Sequence, residues 1–122
     1  MSCEGHPTGW EFWSVINFLE LAILRLLMER EYHGYEIFTK IEEKFPNVTH
    51  FRNLVSRGIG YRTLRVLEAE GFISSAWEVG EGPGRRVYKI EDKGKEAFRA
   101  LSKNFFESMD ELQKMADFLR EV

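Results

Sequence analysis

The feature that most constrains this 122-residue chain is a change of period between residues 72 and 90. Upstream, apolar residues recur at helical spacings of three and four. Here Phe72–Val79 and Val87–Ile90 have the bulk of two strands, separated by Gly80-Glu81-Gly82-Pro83-Gly84. Three glycines and a proline in five positions admit only a tight or flexible turn. A two-stranded hairpin is marginal in water by itself, so it must lie on the helices around it.

Those helices follow from spacing. The first runs from Glu11 to about Met28 and carries Phe12, Val15, Ile16, Phe18, Leu19, Ala22, Ile23, Leu26 and Leu27, an apolar face wide enough for more than one neighbour. Glu29–His33 reads as a short connection. Gly34 opens a second helix with Tyr35, Ile37, Phe38, Ile41 and Phe45, which Pro46 brings to an end. Residues 46–57 are polar and uneven, with room for a helical turn. A third, short helix over Gly58–Glu70 turns Tyr61, Leu64 and Leu67 inward and stops at Gly71. Gly58 and Gly60 cost about 1 kcal/mol each inside a helix, which implies either frayed ends or the close approach of something large.

After the hairpin, Asp92 is the expected cap of a final helix, although Gly94 weakens its first turn. Phe98, Leu101, Phe105, Met109, Leu112, Ala116 and Leu119 then recur at intervals of three and four, close to a heptad seam. Phe106, Met115 and Phe118 widen it. The order is helix, helix, helix, hairpin, long helix. It predicts a mainly α fold with a small β-hairpin: a loose arm (1–10), a winged helix-turn-helix domain (11–91) and a C-terminal dimerisation helix (92–122).

The formal net charge of −3 at first argues against nucleic acid, but its distribution matters more. Residues 1–51 carry four basic and eight acidic side chains, residues 52–89 seven and four, and residues 90–122 six and eight. A basic island thus lies between acidic flanks. No apolar run reaches the roughly 20 residues of a membrane span, and the first residues lack the pattern of a secretory signal. The single cysteine, Cys3, excludes an intrachain disulfide, so a cytoplasmic protein is expected. Cys3 and His6 make too small a set for a metal, His33 and His50 are isolated, and no catalytic constellation appears; neither an enzyme nor a cofactor is expected.

The basic island suggests duplex DNA. The third helix offers Tyr61, Arg62, Thr63 and Arg65, with Arg52, Ser56 and Arg57 before it. The wing offers Arg85, Arg86 and Lys89. Arginine on a short helix can fork onto guanine or phosphate, and a basic hairpin tip can straddle a minor groove. The plainer reading is a solvated helix face, with Arg65 paired to Glu68; the coincidence of two basic features at the expected places favours DNA. Trp77 reads as a core or hairpin-packing residue rather than a stacking platform. Trp10 and Trp13 fit a dimer contact, an ordinary core or a ligand contact. Phe12 and Val15 join Phe98, Leu101, Phe105, Met109, Leu112, Ala116 and Leu119 as dimer candidates. The rival reading is a winged-helix module that grips protein.

Three segments resemble the PadR family of winged-helix transcription regulators: Leu21–Glu43, with His33-Gly34-Tyr35-Glu36 as its most diagnostic piece; Gly58–Ile73, through Gly58, Tyr61, Leu64, Leu67, Glu68, Glu70, Gly71 and Ile73; and Gly82–Phe98, through Gly82, Arg85, Arg86, Tyr88 and Gly94. The resemblance implies a cytoplasmic homodimer that represses transcription and releases DNA when a small aromatic or hydrophobic compound binds, with the last helix crossing to the partner. It places Tyr61 at the DNA-facing part of the recognition helix, and Arg85 and Arg86 at the wing. The chain departs from the family pattern at Arg62, at Ile59-Gly60 and at Gly84. Phe12, Trp13, Val15, Phe105, Met109 and Leu112 are the expected effector walls.

Overall fold

The computed structural model describes residues 9–48, 51–52, 58–80 and 84–122, with side chains from Phe18 onward. The side chains of Trp10, Phe12, Trp13 and Val15, together with Cys3, His6, His50, Ser56 and Arg57, lie outside the described residues.

Four helices and three strands follow one another as α1 (Gly9–Glu29), β1 (Tyr32–His33), α2 (Gly34–Lys44), α3 (Ile59–Ala69), β2 (Ile73–Glu78), β3 (Arg85–Ile90) and α4 (Asp92–Arg120). Three helices, a hairpin and a long helix make this a winged helix-turn-helix fold. The first helix begins at Gly9, so the last two residues of the expected arm are helical.

One strand was not expected. Tyr32 and His33 leave the connection after α1 and pair antiparallel with Tyr88 and Val87, giving a three-stranded sheet ordered β1-β3-β2. A two-residue strand has no period to read. Its role is visible in burial: Tyr32 enters the core beside Tyr88, and its hydroxyl donates to Glu29 at 3.0 Å. The hairpin thereby gains a third strand and the support that two strands lack.

The core joins Leu19, Ile23, Leu24 and Leu27 of α1 to Ile37, Phe38 and Ile41 of α2, Leu64 and Leu67 of α3, and Ile73 and Tyr88 of the sheet. Phe51 belongs to it too, only 3% exposed in a segment that reads as polar. Its ring stacks on Phe18 at 5.6 Å and meets Phe45 at 6.0 Å, and its N–H closes a turn onto the Val48 carbonyl. A lone aromatic among polar residues thus anchors the α2–α3 connection.

The glycines explain themselves by contact. Gly60 faces the Phe38 ring so closely that a Cβ would stand 2.6 Å from two of its carbons. The something large that the sequence called for is Phe38. Gly94 lies under the Phe72 carbonyl, where a Cβ would come within 2.1 Å of the oxygen. That same oxygen accepts the Glu91 N–H at 2.9 Å, locking the start of α4 to the entry of β2. Glu91, not Asp92, occupies the cap position, in extended conformation and without a side-chain cap; Asp92 is the first helical residue. Gly71 follows α3 at φ +82°, the left-handed stop that the sequence places there.

The seam of α4 divides in two. Phe98 packs on the edge of the core and Phe105 lies 5.8 Å from Phe18 of α1. Leu101, Leu112 and Ala116 are half-buried. Farther along, Phe106, Met109, Met115, Phe118 and Leu119 are exposed, Phe118 at 71%. The chain's other helices thus cover the beginning of the seam and leave Met109 and Leu119 of its second half exposed. No helix among the described residues is long and apolar enough to cross a membrane.

Candidate nucleic-acid interface

The third helix is held by its inner face. Gly60, Leu64 and Leu67 are buried, so residues 62, 65, 66 and 69 fall on the opposite side by helical spacing. Arg62, Arg65, Val66 and Ala69 are all exposed there. Among the described residues neither arginine has an ion-pair partner; Glu68, the expected partner of Arg65, instead accepts the Ser75 hydroxyl at 2.8 Å. Val66, 52% exposed beside the arginines, adds an apolar surface of the kind that meets a thymine methyl. The first turn of α3 contains no acidic residue, which leaves the positive end of the helix dipole uncompensated. Gly58 caps it at φ +75°, a conformation that strains any residue with a Cβ.

The remaining described candidates near α3 have local partners. Tyr61 is half-buried, its ring edge-on to Phe38 at 4.9 Å and packed over Gly34, where a Cβ would come within 3.0 Å. It is a spacer between α2 and α3 with one edge free. Thr63 returns its hydroxyl to the Ile59 carbonyl at 2.9 Å. Arg52 donates from Nε and Nη2 to the Pro46 carbonyl at 3.4 and 3.3 Å and so ties down its own connection.

The ladder sorts the wing. Ile73 pairs with Ile90, Ser75 with Tyr88 and Trp77 with Arg86, all on the face that carries the buried Ile73 and Tyr88. Ser74 pairs with Lys89, Ala76 with Val87 and Glu78 with Arg85 on the other face. Arg85 and Arg86, adjacent in sequence, therefore point to opposite sides. Only Arg86 shares the side on which α3 packs.

Arg86 is also held. Its Nη1 donates to Ser75 Oγ at 2.9 Å, and its guanidinium lies 4.8 Å from the centre of the Trp77 ring. Since Ser75 in turn donates to Glu68, a polar chain runs from α3 through β2 to β3. Burial holds the Tyr88 hydroxyl above its usual range, while Arg86 and Arg65 act on it in the opposite sense. One cation from the wing and one from α3 thus bear on the same point. Trp77 is not a core residue: it packs on the hairpin and remains 61% exposed.

On the opposite face His33 joins three elements. Its Nδ1 meets Glu36 at 3.0 Å and its Nε2 meets Glu78 at 2.9 Å, reaching across the central strand. Its backbone N–H also donates to Glu36 at 2.9 Å. The Glu78 carboxylate, then that of Glu36, raises the imidazole above its ordinary pKa, against burial and Arg85. The i, i+3 spacing of His33 and Glu36 carries half of this arrangement in the sequence; the contact to Glu78 has no local signal.

Between α1, α2 and α4 lies a groove of about 720 Å³ lined by Phe18, Leu21, Ala22, Leu26, Ile41, Phe45, Phe98, Phe105 and Phe106, with Arg25, Lys40, Lys44, Glu29 and Glu43 as its charged part. Of the expected effector walls with described side chains, Phe105 lines it, whereas Met109 and Leu112 lie farther along α4. No group of three or more His, Cys, Asp or Glu side chains suited to a metal occurs among the described residues.

A comparison with curated protein sequences finds no match. A transcriptional regulator from Clostridium thermocellum has the same fold, with a TM-score of 0.68 at 24% identity over 80% of this chain and 92% of that one. A PadR-like transcriptional regulator from Bacillus cereus is 28% identical, with a TM-score of 0.57 over 85% of this chain and 92% of its own. Bacillus subtilis PadR, solved in complex with operator DNA, is 27% identical with a TM-score of 0.57, over 68% of this chain and 44% of that one. The model of the PadR-like transcriptional regulator family matches residues 23–100, which span the end of α1, α2, α3, the wing and the start of α4. This chain belongs to the PadR-like family of DNA-binding transcriptional regulators.

Proposed function

We propose that the protein is a dimeric repressor that reads an inverted-repeat operator with α3 and steadies itself through the wing. The observation that carries this reading is the exposed row Arg62, Arg65 and Val66, joined through Glu68 and Ser75 to Arg86. These side chains offer positive charge from two elements on one side of the protein. A relative solved on its operator, Bacillus subtilis PadR, supports the same use of the fold. Arg62, Arg65 and Tyr61 with Thr63 belong to the helix entering the major groove; Arg86 is the wing's contact on that side, while Arg85 and Lys89 flank it from the other face.

The second half of α4 supports the dimer. Met109, Met115, Phe118 and Leu119 together expose too much apolar surface to leave in water without a partner. A twofold axis along it presents each α3 once, matching half-sites about one DNA turn apart. The groove between α1, α2 and α4 adjoins this joint and has the volume and apolar lining for a small aromatic or hydrophobic effector. An occupant there bears on how α4 leaves the domain, and hence on the spacing of the recognition helices.

Selection of bound sequences from random duplex DNA tests the reading. The expected product is a palindrome, bound about 1–3 kcal/mol more weakly when Arg62 or Arg65 is replaced by Ala in a base-contacting role. An unenriched pool refutes it.

A further inference from the structure

We propose that Trp77 is a DNA-contacting residue of the wing, its indole lying against the sugar walls of the minor groove beside Arg86. This rests on the DNA reading above and adds to it an apolar contact that charge alone does not reveal.

Four observations meet at this side chain. Parity along β2 puts Trp77 on the same sheet face as Ile73 and Ser75. Ile73 is buried and Ser75 is tied to α3, so the helix layer covers this face only part of the way. Trp77 is the next residue outward, where the face continues without a helix over it, on the side of the exposed arginines of α3. The large ring remains 61% exposed.

The ring is also posed. Arg86 covers part of it at 4.8 Å while donating to Ser75. At Gly84 a Cβ would lie 3.3 Å from Trp77 Cε3, so the turn residue lets the indole lie close to the backbone. A side chain fixed in this way loses little freedom on binding.

Charge selects the partner. Among the described carboxylates of β2 and α3, Glu78 is turned to the opposite face and held by His33, and Glu68 is tied to Ser75. The charged group set against the indole is the Arg86 guanidinium. An aromatic plane next to a cation suits a polyanion with apolar sugars, and apolar wedges beside basic residues are a recurrent minor-groove device.

The test uses the full chain with Trp10→Phe and Trp13→Phe, first matched to the unsubstituted chain in duplex affinity and sedimentation, so that emission reports Trp77 alone, and a fluorescein-labelled duplex carrying the selected palindrome. Addition of an unlabelled copy of that duplex is expected to lower acrylamide quenching of Trp77 at least twofold. By anisotropy, Trp77→Ala is expected to bind about five- to tenfold more weakly with an unchanged salt slope, and Trp77→Phe to retain most affinity. Arg86→Ala is expected to lower the slope by about one, as for a lost phosphate contact. Unchanged quenching together with equal affinity of Trp77→Ala overturns the inference and leaves the DNA reading standing. Protection of Trp77 that follows protein concentration without DNA also overturns it, assigning the ring to a contact between copies. Failure of the parent chain to bind any duplex refutes the DNA reading itself, and the inference with it.

Discussion

Replacing Gly60 by Ala sets two opposed effects against each other. Gly60 is the second residue of α3, and helix propensity alone favours Ala there by about 1 kcal/mol. Packing opposes it: the new methyl would stand 2.6, 2.6 and 2.9 Å from Phe38 Cε1, Cζ and Cδ1, where carbon atoms prefer about 3.5–4.0 Å. Helix and ring must separate by about 1 Å. Phe38 has no room to give, being 0% exposed and braced edge-on by Tyr61. Overpacking of this kind costs about 1–3 kcal/mol, so against the propensity gain of about 1 kcal/mol the expected net loss is about 0–2 kcal/mol. Urea unfolding, read as a lower midpoint at constant slope, measures it. In a Phe38→Leu background the interfering ring is gone, and Gly60→Ala is expected to be neutral or stabilising, a coupling of about 1–3 kcal/mol across the cycle. Two results refute the reasoning: a rise in stability from Gly60→Ala alone, or the same loss in both backgrounds.

The His33 clamp gives stability a pH dependence of definite sign. A raised folded-state pKa contributes stability that is fully present below the unfolded value, about 6.5, and is lost as pH rises through the folded value. Glu36, lowered chiefly by the His33 backbone N–H, contributes above its unfolded value and loses that contribution as pH falls through the folded one. Unfolding midpoints measured from pH 4 to 9 are therefore expected to fall on the alkaline side of pH 6.5, and His33→Gln to flatten that limb while retaining much of the acid one. The proposed dimer predicts that Phe118→Asp on α4 shifts the protein toward monomer in sedimentation analysis with its helical signal intact, since the side chain is 71% exposed in the single chain.

The helices were legible because spacing of three and four is redundant over many residues; no single position decides it. The first helix, the second and the long α4 all rest on such runs. Features that depend on one or two residues were not legible. Tyr32 and His33 form a strand only because Tyr88 and Val87 are beside them, and Phe51 is a core residue only because Phe18 and Phe45 converge on it. The wing lies between these cases. Adjacent residues of a strand must face opposite ways, so the division of Arg85 from Arg86 was available as soon as the strand was placed around them. The expected strand began two residues later, at Val87, leaving both arginines at the end of the loop. Trp77 has the same parity as Ile73, which reads as core. Its exposure depends on where the helix layer ends, a fact of packing that the strand pattern does not contain.

The same distinction resolves the tension between a net charge of −3 and a DNA-binding family. Net charge sums over every direction, whereas binding depends on the charges that share one surface. Glu68 and Glu78 are two of the four acidic residues within the basic island. Glu68 is hydrogen-bonded to Ser75, and Glu78 is on the far sheet face with His33. The Glu78 carboxylate is thereby taken away from Arg86, while the Glu68 carboxylate stays on the α3 side, tied to Ser75 rather than to Arg65. Glu78→Gln is thus predicted to alter affinity for DNA less than Ser75→Ala does, although only the first removes a negative charge. Ser75→Ala releases Arg86 from its anchor and leaves the Glu68 carboxylate without its donor, at the place where the two cationic elements meet.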